Sequence, residues 1–317
     1  MPAKSALWKI PPVIWIIALL CVLYGLFAPG FFTFRNLQNI IVQASPLLIV
    51  ALGMTMVILT EGIDLSVGLT MGVIGVFCAF LMKTGYPMGL AVLLGLSAGT
   101  FFVFLNGLLV STAKLPPFIA TLGLGSMVFG FGLVLTGGES VPISNSAFRF
   151  LHDGTIIGLP MPIFLAVVVF GFAWILMYHT PFGRNVIALG GNPEALRVAG
   201  VNIERAQTLV YTLAGFLAGI TGIIIAARTA SGYAAATYDW EFDAIGATII
   251  GGTSFEEGQG GIGKTILGVL LISVLRNGLN VAGVSNKYQF AFIGLVVLVA
   301  IIIDVKFRQA TEGGAEA

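Results

Sequence analysis

Thr60-Glu61-Gly62-Ile63-Asp64-Leu65-Ser66-Val67-Gly68 separates two apolar runs, 37–60 and 65–82, with almost no linker between them. Two carboxylates therefore stand where the chain either crosses lipid or turns sharply at its edge. An ionised group at the centre of a membrane helix costs about 2.5–3.5 kcal/mol on insertion scales, so such groups persist where they face a cavity, a partner or backbone donors. Two readings are compatible here. One is a tight turn in which Asp64 caps the following helix. The other gives Glu61 and Asp64 a direct place on a path through the membrane.

The rest of the chain fits a bilayer setting for this break. Of 317 residues, 57% are hydrophobic and only 9% charged, against about 25% charged in a soluble domain. Fifteen basic and 14 acidic side chains are too few to clothe a folded surface of this size in water. An ordinary soluble enzyme, a disordered chain and a small secreted scaffold are excluded. The formal net charge of +1 suggests no nucleic-acid partner. The 42 glycines follow no collagen period and suit closely packed membrane helices. Cys21 and Cys78 lie inside apolar runs and read as small buried hydrophobes rather than a disulfide or metal pair.

About 20 apolar residues cross the hydrocarbon core as a helix. Ten candidate runs follow, near 13–28, 37–60, 65–82, 87–112, 118–136, 160–178, 207–227, 240–252, 262–282 and 288–304. The expectation is an all-α polytopic membrane protein of about ten helices, with an uncleaved first helix. With the N-terminus in the cytoplasm, the inner loops hold Lys4, Lys9, Lys114, Arg184, Arg197, Arg205, Lys264, Lys306 and Arg308. The outer ones hold Arg35, Lys83, Arg149, Arg228, Arg276 and Lys287. This bias favours both termini inside. The chain then divides into a first segment and span (1–36), a first helical half (37–136), an external loop, sixth span and cytoplasmic coupling loop (137–206), a second half (207–304) and a cytoplasmic tail (305–317).

Several motifs lose their usual meaning in this setting. Gly258-Gln259-Gly260-Gly261-Ile262-Gly263-Lys264-Thr265 matches both GxxxxGK[ST] and GxGxxG, but each needs a strand–turn–helix in a parallel sheet to cradle phosphate. A glycine-rich turn is the better reading. Gly95-Leu96-Ser97-Ala98-Gly99 matches a nucleophile elbow, yet it is also a GxxxG helix-packing pair, like Gly68/Gly72 and Gly215/Gly219. His152 and His179 fall on opposite sides of the membrane and form no zinc site. No metal site and no catalytic constellation is expected.

Other features remain. A second break, Gly251–Gly263 with Glu256 and Glu257, pairs with the first to suggest a two-half pseudo-repeat. Arg276 lies inside the ninth run and either snorkels outward or pairs with Asp243. Asn106 and Asn277 read as interhelical hydrogen-bonding groups. In the loop Thr180–Gln207, Asn192-Pro193-Glu194-Ala195-Leu196-Arg197-Val198-Ala199-Gly200 reads as a short capped helix, with Asn192 as N-cap and Gly200 ending it. It either lies on the membrane or docks a soluble subunit.

Five stretches carry a resemblance: GIDLSVG at 62–68, KLPPFIATLG at 114–123, ALGGNPEALRVAGVNIERAQ at 188–207, FDAIGATIIGGTSFEEGQG at 242–260 and RNGLNVAGVSNKYQ at 276–289. In this order they resemble the permease subunits of ribose/galactose/xylose-type ABC sugar importers. The resemblance implies an ABC importer permease fold in the bacterial cytoplasmic membrane and a pore made of two permease chains, a homo- or heterodimer. It also implies a separate ATP-binding cassette subunit that binds ATP and Mg, and a periplasmic or lipid-anchored sugar-binding protein; this chain itself holds no cofactor. The loop helix resembles the EA-A-x3-G coupling signature at Glu194-Ala195-Leu196-x3-Gly200, with leucine in place of the second alanine and without the downstream hydrophobic-proline element. Family members more often carry Ser or Gly where Glu61 stands. On this reading Asp64, Ser66, Asn106, Phe118, Thr121 and Asp243 line the substrate path, and Glu194, Arg197 and Gly200 couple to the ATPase. The loop 137–159, with Glu139, Arg149 and Asp153, meets the binding protein. The alternative is an ion-gradient-driven transporter using Glu61 and Asp64.

Overall fold

The computed structural model describes residues 11–255, 258–285, 288–289, 291–296, 298–299 and 302. Apolar segments must satisfy their amides internally, and the chain is accordingly helical. α1 (Pro12–Phe27), α2 (Phe34–Leu59), α3 (Val67–Lys83), α4 (Met88–Ser111) and α5 (Pro117–Thr136) come first. A polar connection follows, made of β1 (Val141–Pro142), α6 (Ser146–Asp153) and the hairpin of β2 (Thr155–Ile156) and β3 (Leu159–Pro160), and leads to α7 (Met161–His179). α8 (Pro181–Gly191) and α9 (Pro193–Val198) precede α10 (Ile203–Thr229). β4 (Ser231–Gly232) and a turn of 3-10 helix (Ala234–Thr237) lead to α11 (Trp240–Ile250) and α12 (Ile262–Val281). The described residues of 288–302 are helical. Proline opens α5, α8 and α9 at the first turn, where its missing N–H costs no hydrogen bond.

Among the described residues, six helices are long and apolar enough to cross a membrane: α2, α4, α5, α7, α10 and α12. α1 and α3 are apolar but shorter. The most apolar stretches of α2, α10 and α12 are 78%, 72% and 67% buried, against 22–28% for α4, α5 and α7, so α2, α10 and α12 lie toward the centre and α4, α5 and α7 present apolar surface outward. Small residues permit the close packing. A Cβ on Gly53 would stand 2.9 Å from the Ala214 Cα, and one on Gly215 would stand 2.5 Å from the Val103 Cβ. The three GxxxG pairs behave alike: Gly95 faces Cys78, Gly219 faces Leu96, and Gly72 faces the Ala234 carbonyl.

α6, β1 and β4 close one end of the bundle. β1 and β4 pair antiparallel, Val141 opposite Gly232, and Phe148 of α6 packs with Ile74, Cys78, Ala79 and Ile223. α8 and α9 close the other end, where Gly190 lies against the Leu59 carbonyl and the Gly258 backbone.

Between these ends two helices start from a common point. The Thr237 hydroxyl donates to the Gly68 carbonyl at 2.7 Å, and a Cβ on Gly68 would overlap Glu241 Oε2 at 1.9 Å. The first turns of α3 and α11 therefore abut. From there α3 runs toward the β1–β4 end, with Gly232 lying against Gly75. α11 runs the opposite way, and its Thr248 meets Thr55 at 3.3 Å while Thr55 meets Thr265 at 2.7 Å. Each rises only part-way through the bundle, α11 by about 16 Å at 1.5 Å per residue.

The run expected at 240–252 is therefore the 11-residue helix Trp240–Ile250, too short to cross alone. The irregular chain at 230–239 completes it, held by β4 and the 3-10 turn. That stretch reads in sequence as an ordinary loop because alanine, serine and threonine give it no apolar signature. The break expected at Gly251–Gly263 is a turn joining α11 to α12, with Ser254 N donating to the Gln259 carbonyl at 2.9 Å; Glu256 and Glu257 lie outside the described residues, as do Lys4, Lys9, Lys287, Lys306 and Arg308. The GxxxxGK[ST] match occupies this turn and the start of α12. Among the described residues, sheet is limited to the two short strand pairs, so no phosphate-cradling strand precedes it.

Candidate functional site

The α3–α11 junction is a polar knot in an apolar bundle. Ser66 ends the break and begins α3 without capping it through its own side chain. Asp64 Oδ1 accepts instead from Ser66 N at 2.8 Å and Ser66 Oγ at 2.6 Å. The expected cap is thus a local Asx turn, because the carboxylate reaches the N–H two residues on before it can reach the helix. Asn106 of α4 donates through Nδ2 to Ser66 Oγ at 2.7 Å. Thr121 of α5 accepts from Leu65 N at 3.1 Å, and Tyr211 of α10 donates to the Ile63 carbonyl at 3.2 Å. Three helices, α4, α5 and α10, thereby hold one turn in place.

Asp64, Asn106 and Thr121 are fully buried, Ser66 is 1% exposed and Glu241 is 6% exposed. Asp64 Oδ2, Asn106 Oδ1, Thr70 Oγ1 and Glu241 Oε2 have no hydrogen-bond partner among the described residues. Helix N-termini present unpaired N–H groups and positive dipole ends. Two such ends, of α3 and α11, face this site, which is why carboxylates belong here.

Of the six residues expected on the path, Asp64, Ser66, Asn106 and Thr121 therefore come together. Asp243 shares the first turn of α11 with Glu241 but engages α12 instead, receiving a hydrogen bond from Arg276 Nη2. Phe118 is 55% exposed on the surface of α5 and does not join the buried set. Glu61 is exposed, with φ 57°, at the start of the break, whereas Asp64 is buried, so the two carboxylates face different surroundings. Asn277 makes an interhelical pair, its Oδ1 accepting from Asn36 Nδ2 at 2.8 Å. Glu241, Thr237 and Tyr211 escape sequence reasoning. Glu241 falls one residue short of FDAIGATIIGG, and its only signal is a third carboxylate beside Asp239 and Asp243.

The other distinctive element is α9. Asn192 Oδ1 accepts from Ala195 N at 2.9 Å. Glu194 and Arg197 form an exposed i,i+3 pair at 2.6 Å. Gly200 has φ 79°, the left-handed geometry that ends a helix, and Val201 N returns to the Leu196 carbonyl at 3.1 Å. Leu196 is buried against Leu189 and Ile203, so α9 is tied to α8 and α10 on one face and open on the other. At the opposite end, α6 carries Arg149 and His152 at 3.1 and 3.0 Å from Asp153. The His152 hydrogen bond first, then Arg149, holds the Asp153 carboxyl below its usual range.

Long apolar helices around a buried polar junction define a multi-pass membrane protein. The family model described as "Branched-chain amino acid transport system / permease component" matches residues 36–301, and the chain belongs to that family. It is similar to the ribose import permease protein of Bacillus subtilis, 37% identical over 290 residues, covering 91% of this chain and 90% of that one. The ribose import permease protein of Escherichia coli K12 is 37% identical over 307 residues, covering 96% and 95%. The D-allose transport system permease protein of the same strain is 33% identical over 299 residues, covering 94% and 92%. No solved structure gives a significant match.

Proposed function

We propose that this chain is the membrane-spanning permease subunit of an ATP-driven importer for a monosaccharide or related polyol. The observation that carries the reading is the similarity, along nearly the whole chain, to permeases named for ribose and allose. The chain forms the conduit, and ATP and Mg are bound by a separate ATPase docked at α9. Glu194 and Arg197 face that partner, and Gly200 lets the chain turn back into α10. α6 and its flanking loop, with Glu139, Arg149 and Asp153, meet a sugar-binding protein. Two permease chains make the pore in the bacterial cytoplasmic membrane, with both termini inside.

The pseudo-repeat takes a different form from the one the sequence suggests. α2, the break at 60–66, α3 and α4 correspond to α10, the irregular stretch 230–239, α11 and α12. In both, a long central helix is followed by a broken span whose helix begins in mid-bundle. Opposed broken helices are the usual pointer to a transport path, and the path runs past Asp64, Ser66, Asn106 and Thr121. Superposing the two sets of three helices tests the repeat. Alignment in order supports it, and a mismatch in direction or sequence of helices removes it.

Affinity purification tests the assembly. The tagged chain is expected to retain an ATPase subunit in detergent, and Glu194→Ala to lose it while remaining in the membrane. Retention by the variant would overturn the coupling role of α9.

A further inference from the structure

A cavity of about 300 Å³ opens between α2, α11, α12 and the residues Gln289 and Ile293, on the α12 side of α11. Its wall is polar although the helices that form it are not. Asp243 and Arg276 pair across it, which cancels their charges but leaves their bonding capacity unfilled. Arg276 Nε is buried without an acceptor among the described residues. The Gln43 amide and the Ser273 hydroxyl also line the space, and neither makes a hydrogen bond among the described residues. Trp240 adds an indole face to the same lining. One wall is braced, since Gln289 Nε2 donates to Asn280 Oδ1 at 2.9 Å and to the Val284 carbonyl at 2.8 Å.

These groups select a ligand class. Neighbouring hydroxyls donate to a carboxylate and accept from a guanidinium, so a carboxylate–guanidinium pair suits a polyol better than a simple ion. A cation would meet Arg276 and the Arg228 that also lines the space, and an anion would meet Asp243. Uncharged amide and hydroxyl groups extend the same bonding, and an aromatic face covers the C–H side of a sugar ring.

We infer that this cavity is a low-affinity monosaccharide-binding site built within a single chain, with Asp243 and Arg276 gripping adjacent hydroxyls and Trp240 covering the ring. The inference rests on the sugar-importer reading and adds to it a resting place for the cargo. Few ordered contacts and an open mouth keep the binding weak, as release requires.

The test uses the full chain in lipid nanodiscs, with Trp8, Trp15 and Trp174 replaced by Phe so that Trp240 alone reports. D-ribose, D-allose and L-arabinose are titrated. At least one should give a saturable fluorescence change with a half-point in about the 1–50 mM range. Ser273→Leu, which fills the cavity, and Gln43→Leu, on a half-exposed position, should each move that half-point at least tenfold. No saturable change with any of the three sugars, or half-points unmoved by both variants, would overturn the site. Saturation by D-ribonate and by none of the neutral sugars would also overturn it, since the cavity would then select an anion. ATP-driven uptake by the reconstituted importer is measured in parallel. Its absence would count against the importer reading, whereas uptake without the fluorescence response would remove the cavity site alone.

Discussion

The α3–α11 junction and α9 use similar residue types to opposite ends. At the junction, Asp64, Ser66 and Asn106 are almost completely enclosed, and every bond among them replaces a desolvation cost that water would otherwise remove. On α9, Glu194 and Arg197 are 70% and 61% exposed, so their pair contributes little to folding. Polar residues that the fold depends on are buried and shared among helices. On the proposed reading, the polar residues offered to a partner are exposed and supported from below by one apolar side chain, Leu196.

That contrast can be broken most forcefully at the junction. Gly72→Leu would drive a side chain into the Ala234 carbonyl, 2.0 Å from an added Cβ, and backbone on a braced turn has little room to yield. A loss of about 3 kcal/mol or more is expected, read as failure to recover monodisperse protein in detergent. Normal recovery with an unchanged melting temperature would mean that α3 and the 3-10 turn do not touch.

Asp64→Leu is next. It strands the Ser66 N–H and hydroxyl, and a buried group left unpaired costs about 1–3 kcal/mol. Thermal unfolding in detergent should fall accordingly, with Asn106→Leu showing a smaller fall because Ser66 Oγ keeps its bond to Asp64. Equal or greater loss from Asn106→Leu would reverse the ranking of the two contacts.

On α9 the effect on folding shrinks while that on transport grows. Glu194→Ala should change stability by less than about 0.5 kcal/mol and abolish uptake. Gly200→Val, forcing a β-branched residue to φ 79°, should cost about 1–3 kcal/mol and also abolish uptake. Full uptake by both would end the distinction between the two regions. Smallest of all, Asp153→Asn on α6 removes an exposed pair and should shift stability by a few tenths of a kcal/mol. A larger shift would show α6 braced by more than Phe148.

Much of this was legible from the chain alone. Apolar length and spacing fix α2, α4, α5, α7, α10 and α12, and capping chemistry places α9 within a residue or two, because Asn192, Pro193 and Gly200 act locally. Asp64, Ser66, Asn106 and Thr121 are identifiable as polar residues in apolar surroundings. What periodicity does not carry is depth. The segment 230–239 folds back into the bundle only because Gly68 and Gly72 on a distant helix leave room for it, and that fit is a property of two segments together. Glu241 was missed for the same reason. Its burial depends on Gly68, more than 170 positions earlier. Phe118 illustrates the converse, since it stands one helical turn before the buried Thr121 on α5 and is nonetheless 55% exposed.

The most direct measurement of the central claim is uptake of radiolabelled D-ribose, D-allose and L-arabinose into proteoliposomes holding this chain with its ATPase subunit, supplied with the binding protein. Uptake of at least one sugar is predicted to require Mg-ATP and all three proteins, and to persist when proton and sodium gradients are collapsed. Accumulation by this chain alone, driven by either gradient and indifferent to ATP, would contradict the account.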